Sequence, residues 1–330
     1  MIADAHNDLL SELSFREDEG EENPFAAHWL AQLEEGGVEL QVCAVYVEVQ
    51  QLPEGALRVA LKQAAAFWRL IAANPGRVRP VLTRTDLDGN GIGLLLALEG
   101  VEPLGCDPLL LDAFARLGVR MIGLTWNRRN TFADGAGEPG GLSVLGRELV
   151  GRFAELGIVL DLAHASERTF WDALEYAPDA QVMVSHACCR AVTDSPRNLS
   201  DEQLRGIAAR GGVVGMMALP SVVDPDSPTL ERFVDHFDHA VDVMGVEHVA
   251  LGGDFIRQLF ASGAARVSAR ERSFAPPGIE LGRGMDELHG PAQYPELVGL
   301  LRRRGYDGDR LDAILRGNLL RVLRAALPAQ

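Results

Sequence analysis

The chain opens MIADAHNDLL, with Asp4, His6 and Asp8 at alternate positions behind a short apolar start. In a strand, alternate side chains share a face, so this spacing predicts that the three point together. Other unusual polar residues each close an apolar run. Glu99 ends GLLLALE, His164 ends IVLDLAH, His186 ends VMVSH and Asp254 ends VALGGD. Imidazole nitrogens and carboxylate oxygens gathered in one place are the donors that zinc and similar borderline divalent ions take. Glu99 is the most telling, because a carboxylate directly behind a continuous apolar run is costly to bury unless a cation or partner compensates it. Read singly, an H-x-D pair or a lone histidine is more often a surface or hydrogen-bonded group than a ligand. Recurrence at the ends of five β-like runs is what favours a metal site.

Convergence of residues so far apart needs elements that carry their ends to one place. β-rich runs at 2–6, 40–47, 93–98, 120–125, 159–162, 182–185, 213–217 and 249–251 alternate with helical patterns. The helical patterns cover 54–73, 108–117, 144–156, 168–175, 201–210, 230–244, 294–303 and 309–326. Three of them stop at Gly118, Gly157 and Gly245, a common signal for a helix C-terminus. Strands alternating with helices in this number predict an α/β protein of the (β/α)8 TIM-barrel type, whose sites lie at the C-terminal ends of the strands. The candidate ligands fall at those ends. No Pro/Ser-rich linker or repeat divides the chain, so residues 1–330 read as one domain, with a loop-rich insertion around 262–284 over one mouth of the barrel.

Composition narrows the partners. A net charge of −16 and a hydrophobic share of 47% describe an acidic protein with ample core. Nucleic acids and anionic membranes want basic patches, so neither is expected as a partner. No apolar run is long enough to span a bilayer, and no charged-then-apolar leader stands ahead of the opening motif. Cys43, Cys106, Cys188 and Cys189 form no C-x-x-C pair or disulfide pattern. The expectation is reduced thiols in the cytoplasm, with Cys188 and Cys189 packed beneath the site. His236 and His239 stand one turn apart among acids in a helical pattern, which predicts a solvated face. GGLSVLG lacks the lysine of a phosphate loop.

The motifs DAHNDLL, LALEGVEPL, LTWN…FADG, GLSVLGRELVGRFAELGIVLDLAHAS, VSHACCR…SPRNLSDE, HVALGGDF and YPELVGLLRRRGYDGDRLDAILRGNLLRV, in this order, resemble the membrane dipeptidase (renal dipeptidase) family, peptidase family M19. The resemblance runs from residue 2 to about residue 323. It implies a barrel metallopeptidase with two Zn2+ per chain, other divalent ions being possible, that hydrolyses L,L and some L,D dipeptides. His6 and Asp8 would hold one zinc, Glu99 would bridge both, and His164 and His186 would hold the second. Asp254 would be the catalytic acid–base, Arg197 would grip the substrate's free carboxylate, and Asp4 is expected to hydrogen-bond around the ligands. The nucleophile would be a water shared by the two ions, which lower its pKa towards neutrality. A homodimer is a further implication. The family's best-known members carry a histidine after LT that contacts the substrate carbonyl; here that position is Trp126. An indole there is expected to wall the substrate pocket, or alternatively to donate its N–H to the reacting oxygen. Two rival readings are another amide or lactam hydrolase on the same metal barrel, and a metal-binding barrel without catalysis.

Overall fold

In the computed structural model, which describes residues 1–265 and 283–329, nine parallel strands form one sheet. They are β1 (Ile2–Asn7), β2 (Val38–Tyr46), β3 (Val78–Pro80), β4 (Ile92–Glu99), β5 (Val119–Gly123), β6 (Val159–Asp161), β7 (Val182–Ala187), β8 (Val213–Met216) and β9 (Val249–Leu251). β2 pairs with β4 along Leu40–Tyr46, and β1 pairs with both β2 and β9. Eight strands therefore close into a parallel (β/α)8 barrel. β3 stands apart from that count: it pairs with the first residues of β4, below β5 on the same edge.

All eight expected strands are present, and the short β3, ending in Pro80, is an addition. β4 shows why these runs are strands: buried on both faces, it is a near-continuous apolar stretch rather than an alternating one. Leu95 and Ala97 join Ala3, Ala5, Leu40, Val42, Met121, Val159, Met183, Val213 and Ala250 in one apolar cluster inside the barrel. Leu319, Leu320, Val322 and Leu323 of the helix Asn318–Ala326 pack into the same cluster, at the end where the strands begin. The opposite end, where the strands finish, stays open for the site.

Helix boundaries follow local chemistry. Leu230–Met244 starts at Thr229, whose hydroxyl accepts from Arg232 N at 3.1 Å, and stops at Gly245 with φ 89°. Asp201–Ala209 starts with a capping box between Ser200 and Gln203. The expected helix over 144–156 is two, Val144–Val150 and Phe153–Leu156, interrupted at Gly151, a weak helix former. That over 309–326 contains a π-helical turn at Ala313–Gly317, after which Asn318 donates to the carbonyls of Val246 and Val249. Three helices that the sequence pattern does not announce, Leu9–Asp18, Pro24–His28 and Leu30–Glu35, fill the connection from β1 to β2. Of the expected insertion at 262–284, residues 266–282 lie outside the described residues.

Candidate metal and substrate site

Six of the predicted side chains meet at the C-terminal mouth of the barrel. Glu99, at the end of β4, is the centre of the group. Its Oε1 lies 3.0 Å from His164 Nε2, 3.5 Å from His186 Nε2 and 3.8 Å from His6 Nε2. His6 Nε2 in turn lies 3.7 Å from Asp8 Oδ1 and 3.8 Å from Asp254 Oδ1. The carboxylate of Glu99 thus stands between a His6/Asp8 side and a His164/His186 side. Asp254 joins His6 and Asp8 in one group whose ligand atoms all lie within 4.8 Å of each other.

Two register irregularities aim the histidines. Ala3 and Ala5 face the barrel interior, so unbroken alternation would send His6 outward with Ile2. The β1–β2 register shifts between Asp4 and Asn7, and the β7–β8 register shifts between Val184 and Ala187. His6 and His186 sit inside those shifts, where a bulge re-aims a side chain. The expectation that Asp4, His6 and Asp8 share a strand face is therefore corrected. Asp4 accepts from His6 N, Gly253 N and the Tyr294 hydroxyl, at 3.1, 3.0 and 2.8 Å, and stitches β1 to the turn before Asp254. Asp8 lies beyond β1, ahead of the helix Leu9–Asp18. It makes no cap bond with its side chain; Asn7 Oδ1 takes Leu9 N instead and leaves the Asp8 carboxylate to the site.

His164 and Asp254 are the only non-glycine residues with positive φ among the described residues, at 61° and 51°. That conformation costs of order 1 kcal/mol or more and survives where surroundings enforce it, commonly at functional sites. Thr125 Oγ1 and Ala136 N both donate to the His164 carbonyl and hold its turn. Gly252 lets β9 pass β7, since a Cβ there would lie 1.8 Å from the Ser185 carbonyl oxygen.

Side chains behind the histidines set their tautomers. His164 Nδ1 contacts Asn127 Oδ1 at 2.8 Å. His186 Nδ1 contacts Ser185 Oγ at 2.8 Å, and that hydroxyl donates to Asp161 Oδ2 at 2.5 Å. With both Nδ1–H groups donating backwards, both Nε2 lone pairs face Glu99 and each other, 2.8 Å apart. These supports are absent from the sequence reading. Asn127 follows Trp126 directly and Ser185 precedes His186, but nothing in the sequence pairs either with its partner.

The donors fit a divalent cation. His6 Nε2 and Asp8 Oδ1 are buried without a hydrogen-bond partner. Burial disfavours a charged His6, yet Glu99, Asp8 and Asp254 outweigh it and raise its pKa to about 10. That is the negative field a cation would occupy. Burial, reinforced by Asp8, raises Glu99 well above the usual carboxylate range, and Asp254 is pushed up to about 6 by burial first and Asp8 among its neighbours. Burial holds His164 and His186 well below the usual imidazole value, hence neutral, as ligating nitrogens must be.

Arg197 and Trp126 line the same cleft as Asp8, Glu99, His164 and Asp254, a space of about 840 Å³ partly open to solvent. Arg197 is 6% exposed, and its Nη2 has no hydrogen-bond partner. Burial lowers its pKa, opposed by Asp254 and Glu99. Trp126 is 8% exposed, its ring 6.0 Å from that of His164 and 5.7 Å from that of Tyr46. Cys188 and Cys189 are buried free thiols. His236 corrects its expectation: it is fully buried, accepts from Cys189 N at 3.1 Å and donates to the Val223 carbonyl at 2.9 Å. Its neighbour His239 pairs with Asp201 at 2.8 Å.

A parallel barrel with a buried His/Asp/Glu cluster at its mouth defines an α/β-barrel protein with a candidate metal centre. The family model for membrane dipeptidase (peptidase family M19) matches residues 1–269. The chain belongs to that family. It is 32% identical over 291 residues to an uncharacterized protein in the pqqA 5' region of Klebsiella pneumoniae, covering 83% of this chain and 98% of that one. Dipeptidase 3 of Rattus norvegicus is 30% identical over 305 residues, 89% of this chain and 57% of the rat protein. The chain thus spans little more than half the length of that dipeptidase. Among solved structures, a metallo peptidase from Rhodobacter sphaeroides, liganded with a phosphinate mimic of the dipeptide L-Ala-D-Ala, superposes with a TM-score of 0.82 at 26% identity, covering 98% of this chain and 99% of the other.

Proposed function

We propose that this chain hydrolyses the peptide bond of dipeptides, L,L and L,D, at a site holding two zinc ions. His6 and Asp8 would hold one ion and His164 and His186 the other, with Glu99 between them. When bound, such a pair supplies Lewis acidity and a nucleophilic water near neutral pH. Asp254 takes a proton from the nucleophile and returns it to the departing amine, a role suited to a carboxyl whose pKa lies near 6. Asn127 and the Ser185–Asp161 pair keep the two imidazoles in their ligating tautomer. No helix among the described residues is long and apolar enough to cross a membrane, and the four free cysteines fit a reducing compartment such as the cytoplasm. Residues 1–330 are read as one catalytic unit that includes the segment around 262–284.

The observation that carries the dipeptide reading is Arg197, a buried guanidinium with an unpaired nitrogen in the same cleft as the ligand cluster. A guanidinium fork suits the free carboxylate at the end of a dipeptide and excludes extension beyond that C-terminus. The test compares dipeptides with their C-terminal amides on the zinc-loaded protein. Free dipeptides should be hydrolysed and the amides should be poor substrates. Arg197→Lys should raise KM for the free forms and leave the amides little changed. Equal rates on both forms would favour an amide hydrolase with another substrate.

A further inference from the structure

Asp8, Glu99, His164, Arg197 and Asp254 serve the cations, the scissile bond and the terminal carboxylate in the proposed chemistry, whereas a large part of the cleft wall is apolar and has no role in it. From the loop after β5 comes Trp126; from the segment after β8 come Met217 and Leu219; from the helix Arg257–Ser262 come Leu259 and Phe260. Trp126, Met217, Leu219 and Leu259 are buried, so they form a packed surface rather than a mobile fringe.

We infer that these five residues form an apolar side-chain subsite that selects dipeptides carrying a large uncharged side chain. The inference rests on the dipeptidase reading above. Three neighbours fix the indole of Trp126. Tyr46 and His164 flank it, and the Arg128 guanidinium lies 5.5 Å from the ring centre. Arg128 is itself buried, donating to the Val47 carbonyl at 3.1 Å and lying 3.4 Å from Glu102. Gly135 packs on the backbone behind the indole, where a Cβ would lie 2.0 Å from the Trp126 carbonyl oxygen. The helix Arg257–Ser262 is fixed through Gln258, which donates to Glu12 at 2.8 Å and accepts from Gln32 at 2.7 Å. Both parts of the wall are therefore anchored by their neighbours, which makes the space they line selective for size.

Charge points the same way. An acidic side chain against this apolar wall would lose its hydration there. A leucine-sized side chain loses only apolar contact with water. A pocket that buries several extra methylenes should favour leucine over alanine by tenfold or more in kcat/KM, and over aspartate by a hundredfold or more.

The experiment measures kcat/KM on the zinc-loaded protein for Gly-Xaa and Xaa-Gly dipeptides in which Xaa is Leu, Phe, Ala, Asp or Lys. In parallel, calorimetry on Asp254→Asn reads the Kd of the same compounds with turnover slowed by roughly 10²–10⁴. Leu and Phe should lead in both measurements at one of the two positions. Phe260→Arg should cut the Leu-to-Asp ratio by tenfold or more at that position. Equal values for Leu, Ala and Asp at both positions would overturn the subsite, and so would Lys ahead of Leu, since charge would then govern recognition. Absence of hydrolysis with leucine-selective binding retained in Asp254→Asn would instead overturn the dipeptidase reading and leave the subsite standing.

Discussion

At the scale of single residues, Glu99 and Asp254 are both carboxyls of one cluster, and the proposed function gives them different work. Glu99 lies within 3.8 Å of three histidine nitrogens, so removing its charge should weaken binding of both cations. Glu99→Gln is expected to lower metal content from near two per chain, read by elemental analysis of the dialysed protein, and to abolish hydrolysis. Two tightly held ions in that variant would mean that Glu99 does not bridge. Asp254 meets the cluster only through His6 and Asp8 and sits on a strained turn facing the cleft. If Asp254 is the acid–base of the proposed function and not a ligand, Asp254→Asn should keep its metal and lose roughly 10²–10⁴ in kcat, the usual worth of such a group. Metal lost together with rate would make Asp254 a ligand instead. Trp126→Phe should change kcat by less than about tenfold while shifting the ranking of dipeptides by side-chain size, as expected of a wall. A uniform fall of about a hundredfold or more would identify the indole N–H as an oxyanion donor.

At the scale of elements, His236 shows how one buried imidazole joins a helix to the loops around the site. It lies in the helix Leu230–Met244 and bridges Cys189, three residues after His186, to Val223. Accepting through Nδ1 and donating through Nε2 requires the neutral ring. Burial accordingly lowers its pKa to about 4, from 6.5 in the unfolded chain. A group lowered in this way contributes stability that is present above the unfolded value and lost as pH falls towards the folded value. Between about pH 7.5 and about pH 5, His236 should account for roughly 2 kcal/mol of lost stability. His236→Leu removes that titration but strands the Cys189 N–H and the Val223 carbonyl, at a cost of about 1–3 kcal/mol for each. Urea unfolding at the two pH values should therefore show a less stable variant with a shallower pH dependence. An unchanged pH slope would mean that the ring does not stay neutral in the fold. Nothing in DHFDHA signals this arrangement, because amphipathic spacing gives a face and not the loop that covers it.

At the scale of the whole molecule, the metal cluster concentrates buried negative charge in a chain that already carries −16. A cation that binds only the folded state adds about 2.7 kcal/mol of stability at a hundred times its Kd. For a chain of 330 residues that corresponds to a Tm rise of about 4 °C per ion. Chelation should lower Tm by about that amount, zinc should restore it, and magnesium should not, since magnesium favours all-oxygen coordination and the site presents three imidazoles. A Tm indifferent to chelation would separate metal binding from folding.

The eight barrel strands and the positions of His6, Asp8, Glu99, His164, His186 and Asp254 were legible in the residue pattern, whereas Arg197, in the polar stretch DSPRNLSD, was singled out only by the resemblance to a family. The reason is physical: a parallel barrel buries its strands on both faces, so each reads as an apolar run, and a polar residue closing such a run is conspicuous. Tertiary structure alone decided which way those residues point. Alternation along β1 predicts Asp4 and His6 on one face, but the register with β2 shifts between Asp4 and Asn7, and register belongs to a pair of strands, not to either sequence. The partners that fix the imidazoles are likewise remote: Asn127 stands 37 residues from His164, and Asp161 stands 24 from Ser185. Hydrogen bonds of that separation leave no periodic trace along the chain, because only closure of the barrel brings the ends of neighbouring strands into contact.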